Sequence, residues 1–386
     1  MKILAVGGGS GGHVLPIVAV FKSLLNKNKD IQLSFWCDKK FGPQAFKIMQ
    51  SEFNGNIKVS TIYSGKFRRY NHLTFFQHLA IPSIVFNNII DMFRIIMGII
   101  QSFCKLIIER PDVIFCKGGF VCVPVGLTAY ILRIPIVIHD SDAHAGLANR
   151  ILSRFAKRIA TGAPLEFYNY PKDISTYVGI PIKKEFKPYN LAERKELKKV
   201  LGFNTSKSLI VVTGGGLGAA RLNNAIVKEA SKLAKKTQIL LISGMGQYKE
   251  LKEITETKKI KDFYLEGFIA GNMWQYLAAA DIVIARAGAT SNLELSSLAK
   301  PTILVPNARL TGGHQLKNAQ VYAKNKAVII VSDDEIEDNP NKLSNEILKL
   351  ISNPKKMEEM SGKFVKFAKP KAADDMASII LEIANK

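Results

Sequence analysis

Ile3-Leu4-Ala5-Val6-Gly7-Gly8-Gly9-Ser10-Gly11-Gly12-His13 carries a short apolar run straight into a cluster of glycines. The second half of the chain opens in the same way, with Leu209-Ile210-Val211-Val212-Thr213-Gly214-Gly215-Gly216-Leu217-Gly218. An unalternated run of Val, Ile and Leu reads as a parallel strand buried on both faces, and glycines directly after it let the backbone turn sharply into a helix. A second pair of segments repeats the relation. Pro111-Asp112-Val113-Ile114-Phe115-Cys116-Lys117-Gly118-Gly119 answers Ala280-Asp281-Ile282-Val283-Ile284-Ala285-Arg286-Ala287-Gly288. Each half thus has strand, glycine loop and helix first and an Asp-strand-glycine segment later, as a Rossmann-like domain does.

Strands are predicted at 2–6, 32–37, 113–115, 136–139, 208–213, 238–242, 282–285 and 302–305, with helices at 17–26, 219–235 and 291–298 among the connections. The alternation predicts an α/β fold of two Rossmann-like domains whose parallel sheets face a cleft. Pro164, Pro171, Pro181 and Pro188 punctuate the weakly periodic stretch 162–188, which places the join there. We read 1–165 as the N-terminal domain, 176–368 as the C-terminal domain, and 370–386 as a helix that packs back on the first.

The length of 386 residues suits two domains at about 100–200 residues each, and 47% hydrophobic with 22% charged residues excludes a disordered or low-complexity chain. The net charge is +22, from 42 Lys and 12 Arg against 32 acidic residues. Such a surplus fits nucleic acid or an anionic surface such as a membrane, but scattered lysine is a poor basis for sequence-specific readout. Cys37, Cys104, Cys116 and Cys122 show no paired spacing, which fits free thiols in a reducing cytoplasm. The apolar run before Gly7 is too short for a signal peptide. Asp91, Arg94 and Lys105 interrupt the most apolar stretch, 79–108, so it is not expected to span a bilayer.

Glycines between a buried strand and a helix let a phosphate approach the backbone, where the helix N-terminus offers N–H donors and partial positive charge. Gly7-x-Gly9-x-x-Gly12 with Asp38 after the next strand also fits a dinucleotide fingerprint, and a tight β–α turn remains the bland reading. The second glycine loop favours a phosphate-bearing ligand. His13, at the helix start, is either a neutral general base or a histidine bonded to its own turn. Glu294, just inside the helix that follows Gly288, either accepts from a ribose diol or complements the helix dipole. His314 and Gln315 either bond sugar hydroxyls or belong to a capping segment.

Together these motifs resemble the MurG family over essentially the whole chain. These are the UDP-N-acetylglucosamine:undecaprenyl-diphospho-muramoylpentapeptide N-acetylglucosaminyltransferases of peptidoglycan synthesis, in glycosyltransferase family 28. The resemblance rests on 8–16, Lys117-Gly118-Gly119-Phe120-Val121-Cys122-Val123-Pro124, 134–150, Val178-Gly179-Ile180-Pro181-Ile182-Lys183, the Gly214 loop with Arg221-Leu222-Asn223, 286–294, and His314-Gln315 with Asn318-Ala319. It implies an inverting glycosyltransferase of the GT-B type that moves N-acetylglucosamine from UDP to lipid I, giving lipid II, without a metal or other cofactor. By matching positions, Ile269 meets uracil, Glu294 the ribose, Ala289, Thr290 and Ser291 the diphosphate, and Gln315 and His314 the sugar. Ser10, Gly11 and Gly12 are likewise among the residues implied to bind UDP-N-acetylglucosamine, and Gly11, Gly12 and His13 face the reacting centre, where the acceptor diphosphate binds and His13 activates the acceptor hydroxyl. Asp142, Lys183 and Gly216 complete the donor set, each departing from the family pattern: Asp142 for an amide, Lys183 for an arginine and Gly216-Leu217 for Ser-Gln. The alternatives are a transferase with another sugar or lipid acceptor, a UDP-sugar epimerase of the same fold, and a non-enzymatic binder of anionic surfaces or nucleic acid.

A lipid-linked acceptor implies a peripheral enzyme on the cytoplasmic side of the cell membrane. Lys66, Arg68 and Arg69 precede Leu73, Phe75, Phe76, Leu79 and Phe86, a pairing of basic and apolar residues that suits an anionic bilayer. Val85, Ile89, Met92, Ile96 and Ile99 read instead as the core face of a helix.

Overall fold

The computed structural model describes residues 1–8, 11–68, 74, 77, 80–215, 218–269, 271–307, 313–339 and 341–385. The chain divides into two compact units, Met1–Lys183 with Lys369–Lys386, and Lys184–Ala368.

In the first unit the order is β1 (Lys2–Gly7), α1 (Gly11–Lys27), β2 (Gln32–Asp38), α2 (Gly42–Phe53), β3 (Lys58–Ile62), α3 (Pro82–Glu109), β4 (Val113–Gly118), α4 (Cys122–Ile131), β5 (Ile136–Asp140), α5 (Leu147–Leu152), β6 (Arg158–Thr161) and β7 (Ser175–Tyr177). All seven strands are parallel, in the order β3-β2-β1-β4-β5-β6-β7. Because successive side chains point to opposite faces, Ile3 and Ala5 enter one core and Leu4 and Val6 the other. The first core is closed by α1, α2 and the C-terminal helix (Ala372–Ala384), through Met376, Ala377 and Ile380. That helix is also bonded to α1 by Ser23 Oγ, which donates to Asp374 at 2.5 Å.

The core face of α3 is Ile84, Asp91, Gly98, Ser102 and Leu106. A Cβ on Gly98 would collide with the Tyr63 carbonyl, so glycine there lets the helix lie against the chain after β3. The face expected in the core is therefore wrong in part: Ile89, Met92 and Ile96 are exposed, and Val85 and Ile99 only half-buried. By length and composition α3 would suffice to cross a membrane, so its interrupting charges do not by themselves exclude that. Asp91 is buried and held by Arg68 and Arg94, at 2.7 and 2.8 Å.

In the second unit α6 (Leu191–Val200) precedes β8 (Ser208–Thr213), α7 (Ala220–Leu233), β9 (Thr237–Ile242), α8 (Met245–Lys258), β10 (Phe263–Glu266), α9 (Met273–Ala279), β11 (Ile282–Ala285), α10 (Ala289–Ser297), β12 (Thr302–Leu304), α11 (His314–Ala323), β13 (Ile329–Ile330), α12 (Asp333–Asp338), α13 (Lys342–Ile351) and α14 (Pro354–Phe364). Its six parallel strands run β10-β9-β8-β11-β12-β13. In both sheets the order reverses beside the first strand, between β1 and β4 and between β8 and β11. Loops diverge at such a switch point, and ligands of doubly wound folds bind there.

Candidate active site

At the β1/β4 switch point the two glycine loops of the first unit press together. A Cβ on Gly8 would strike the Asp38 carboxylate, and one on Gly119 would come within 2.8 Å of the Gly8 carbonyl. Gly118 and Gly119 have φ of +114° and +91°, which favours glycine. Gly11 and Gly12 are the first two residues of α1, and His13 is the third. Ser10 lies outside the described residues.

The half-buried His13 ring lies against the Lys117 backbone carbonyl, and its Nδ1 is buried with no hydrogen-bond partner among the described residues. Burial first and the Lys117 ammonium second push its pKa down to about 4, against the pull of Asp142 and Asp38. The imidazole is therefore neutral at pH 7, the form a general base needs.

Lys117 itself is 1% exposed, a lysine at the end of a Val/Ile strand, and its ammonium donates to Ser141 Oγ. Burial lowers its pKa to about 8, so it stays about nine-tenths charged at pH 7. Asp140, behind it, accepts from Tyr170 Oη at 2.7 Å and from the Gly146 N–H at 3.2 Å, and burial raises its pKa to about 6. Tyr168 stacks on Tyr170 and donates to the Asp142 carbonyl at 2.6 Å, fixing the half-buried Asp142. His139 is fully buried, its Nε2 2.7 Å from the Gly179 carbonyl. Lys183 is engaged by Glu52 of α2 at 2.6 Å.

In the second unit, Gly215 and Gly218 have φ of +77° and +76°. A Cβ on Gly218 would collide with the Ser243 carbonyl, and Asn223 fastens α7 to that same carbonyl at 2.8 Å. Gly216 lies outside the described residues. Across the switch point, α10 begins after Gly288 with no side-chain cap. The first-turn N–H groups of Ala289, Thr290 and Ser291 thus have no partner within the helix. Those three residues and Glu294 are partly exposed, while Asn292, Leu293 and Leu295 are buried. Thr290 and Glu294, four apart, share the open side of the helix.

Two amides bring α11 to this place. Gln315 Oε1 accepts from the Asn307 N–H at 2.9 Å, and Asn318 donates to the Ala287 carbonyl at 3.3 Å. His314 heads that helix, half-buried. Ile269 follows β10 and packs partly into the core of the unit. Arg286 is buried and structural, donating to Asp333 at 2.5 Å and to the Val305 carbonyl at 2.9 Å. Sequence reasoning assigned no role to Lys117, Tyr168 or Tyr170. A lysine inside a buried strand was the available signal for the first.

Two parallel sheets of Rossmann order, each with glycine loops gathered at its switch point, are the architecture of the GT-B fold class. The chain belongs to glycosyltransferase family 28: that family's N-terminal domain matches residues 3–161 and its C-terminal domain residues 209–376. The UDP-N-acetylglucosamine--N-acetylmuramyl-(pentapeptide) pyrophosphoryl-undecaprenol N-acetylglucosamine transferase of Clostridium kluyveri is 31% identical over 100% of this chain and 99% of its own. The Clostridium tetani protein of the same name is 32% identical over 87% of this chain and 86% of its own. Among solved structures, Acinetobacter baumannii MurG superposes with a TM-score of 0.72 at 23% identity over 99% of each chain. A Neisseria meningitidis UDP-GlcNAc 2-epimerase bound to UDP-GlcNAc gives 0.67 at 14% identity, covering 99% of this chain and 100% of that one. At these identities the two structures speak for the fold.

Proposed function

We propose that this chain transfers N-acetylglucosamine from UDP to the lipid-linked muramoylpentapeptide lipid I, forming lipid II with inversion at the anomeric carbon. The observation that carries the reading is the neutral His13 held in the first turn of α1 beside two interlocked glycine loops. Full-length relatives with that printed activity support it. His13 takes the proton from the acceptor hydroxyl as it attacks the anomeric carbon, and the bond to the UDP oxygen breaks. In this reading Ser10, Gly11 and Gly12 receive the acceptor diphosphate. Thr290, Ser291 and the Ala289 N–H meet the donor diphosphate, where the helix end stabilises the charge on departing UDP. Glu294 holds the ribose, Ile269 the uracil, and His314 and Gln315 the sugar. Asp142, Lys183 and Gly216 are the remaining donor-side positions. The purified protein with UDP-N-acetylglucosamine and a lipid I analogue is expected to release UDP and form a β-1,4-linked disaccharide lipid. No product with any UDP-sugar overturns the assignment.

The acceptor's lipid calls for a membrane face, and we assign it to α3. Phe86, Ile89, Phe93, Ile96, Ile100, Phe103 and Ile107 are 40–65% exposed and recur every three or four residues, so they form one stripe. At 1.5 Å per residue the helix is about 42 Å long, and lying flat it would bury that stripe at the headgroup boundary. Phe75, Phe76 and Leu79, on which the patch was first placed, lie outside the described residues, whereas Phe86 is 65% exposed. Wild-type protein is expected to sediment with vesicles containing phosphatidylglycerol. Ile96→Glu with Ile100→Glu should weaken this at least about tenfold, because two inserted side chains are lost and two like charges added. Unchanged sedimentation removes the assignment.

A further inference from the structure

The pairing of β1 with β4 is interrupted at one place. Val6 pairs with Cys116 and Gly7 with Gly118, so Lys117 is an extra residue in β4, a β-bulge. A bulge re-aims its side chain and backbone, and here the two go to different places in the same site. The Lys117 carbonyl meets the His13 ring, while its side chain runs into the interior and ends on Ser141. Gly7 lies between the two residues, a built Cβ there falling 3.4 Å from Lys117 Cβ and 3.6 Å from His13 Cβ. The lysine has no ion pair within 4.0 Å among the described residues, although its ammonium carries three N–H donors. Such a buried charge destabilises the fold unless a counter-charge acts on it at longer range. Asp140 and Asp142 supply that, and Asp142 stands where the family pattern has a neutral amide.

We propose that Lys117 is the positioning residue for His13, its bulged carbonyl orienting the imidazole and its buried ammonium fixing the local charge, with Asp142 as the acid that compensates it. The inference rests on His13 being the base and deepens that reading. It also gives Asp142 a role that does not depend on the donor sugar. The groups acting on the pair come from every neighbouring element. Asp38 ends β2, Cys122 opens α4, His139 and Asp140 end β5, and Asp142 follows them; His139, like His13, is held neutral by burial and by Lys117.

The test follows the His13 imidazole by NMR titration, with assignment from His13→Ala, alongside the pH dependence of kcat/KM. Lys117→Met keeps the carbonyl and removes the charge, so the His13 titration and the acid limb should both rise by about one pH unit or more. Asp142→Asn should move them the other way, and the double variant should return close to wild type. Lys117→Arg, retaining the charge, should leave the titration low and guards against a methionine variant that fails to fold. A His13 titration identical in wild type and Lys117→Met overturns the proposal, as does a double variant that stays at the value of either single variant. A lysine with only a structural role would lower Tm without moving the titration. Full activity in His13→Ala would instead overturn the general-base reading, so the two failures are distinguishable.

Discussion

Replacing His13 by alanine is expected to lower kcat by about 10²–10⁴-fold, the usual worth of a positioned general base. The donor KM should change little, since an interaction made with the reacting proton is felt in the transition state rather than in UDP-sugar binding. The acid limb of kcat/KM in the wild type should lie near the pKa of about 4 in the free protein, well below the ordinary histidine value of 6.5. The sign follows from the role: a base works when deprotonated, so a lowered pKa extends activity to lower pH. Stability reads the same shift with a different outcome. The unfolded imidazole gains its proton near 6.5 and the folded one near 4, so folding loses stability as pH falls through that window. Asp140, raised from 3.8 to about 6, binds protons better when folded and offsets much of this loss. The rate profile is therefore the sharper measurement. An unaffected rate in His13→Ala would leave the residue a structural part of its turn.

Glu294→Ala is expected to raise the KM for UDP-N-acetylglucosamine by about 10- to 100-fold with kcat nearly unchanged. That is the loss of one charged hydrogen-bonding partner, about 1.5–3 kcal/mol. In the proposed reading the carboxylate is a ribose ligand rather than only a helix-dipole acid; its place on the open side of α10 with Thr290, while its neighbours Leu293 and Leu295 are buried, leaves it accessible for that role. A dipole acid alone would contribute about 0.3–1 kcal/mol of stability and nothing to donor affinity. A lowered Tm with an unchanged KM would decide for that reading.

Much of the architecture was legible because a buried parallel strand leaves a plain mark. The runs before Gly7 and Gly214 became β1 and β8, and their internal resemblance became two sheets of the same order. Five strands escaped notice, β3, β6, β7, β10 and β13, and all but the four-residue β6 lack that mark. β3 reads Lys-Val-Ser-Thr-Ile and is mostly half-buried, β10 alternates half-buried and exposed residues, and β13 has two residues. The face of α3 was misjudged because two apolar stripes share the helix and the core took the one containing Asp91, Gly98 and Ser102, which hydrophobicity alone ranks last. Of the candidate site, the glycines and the first turn of α10 could be read from strand-to-helix spacing. The surroundings of His13 could not, since they depend on a one-residue bulge that no periodicity announces.

The helix bearing His13 is backed by a segment more than three hundred residues away in sequence, through Ser23 with Asp374 and the core residues Met376, Ala377 and Ile380. The second unit is contiguous, Lys184–Ala368, whereas the first needs Lys369–Lys386. During synthesis on the ribosome, the unit begun first is thus the one completed last. Until its closing helix emerges, the back of α1 presents an apolar groove to the cell's chaperones and proteases.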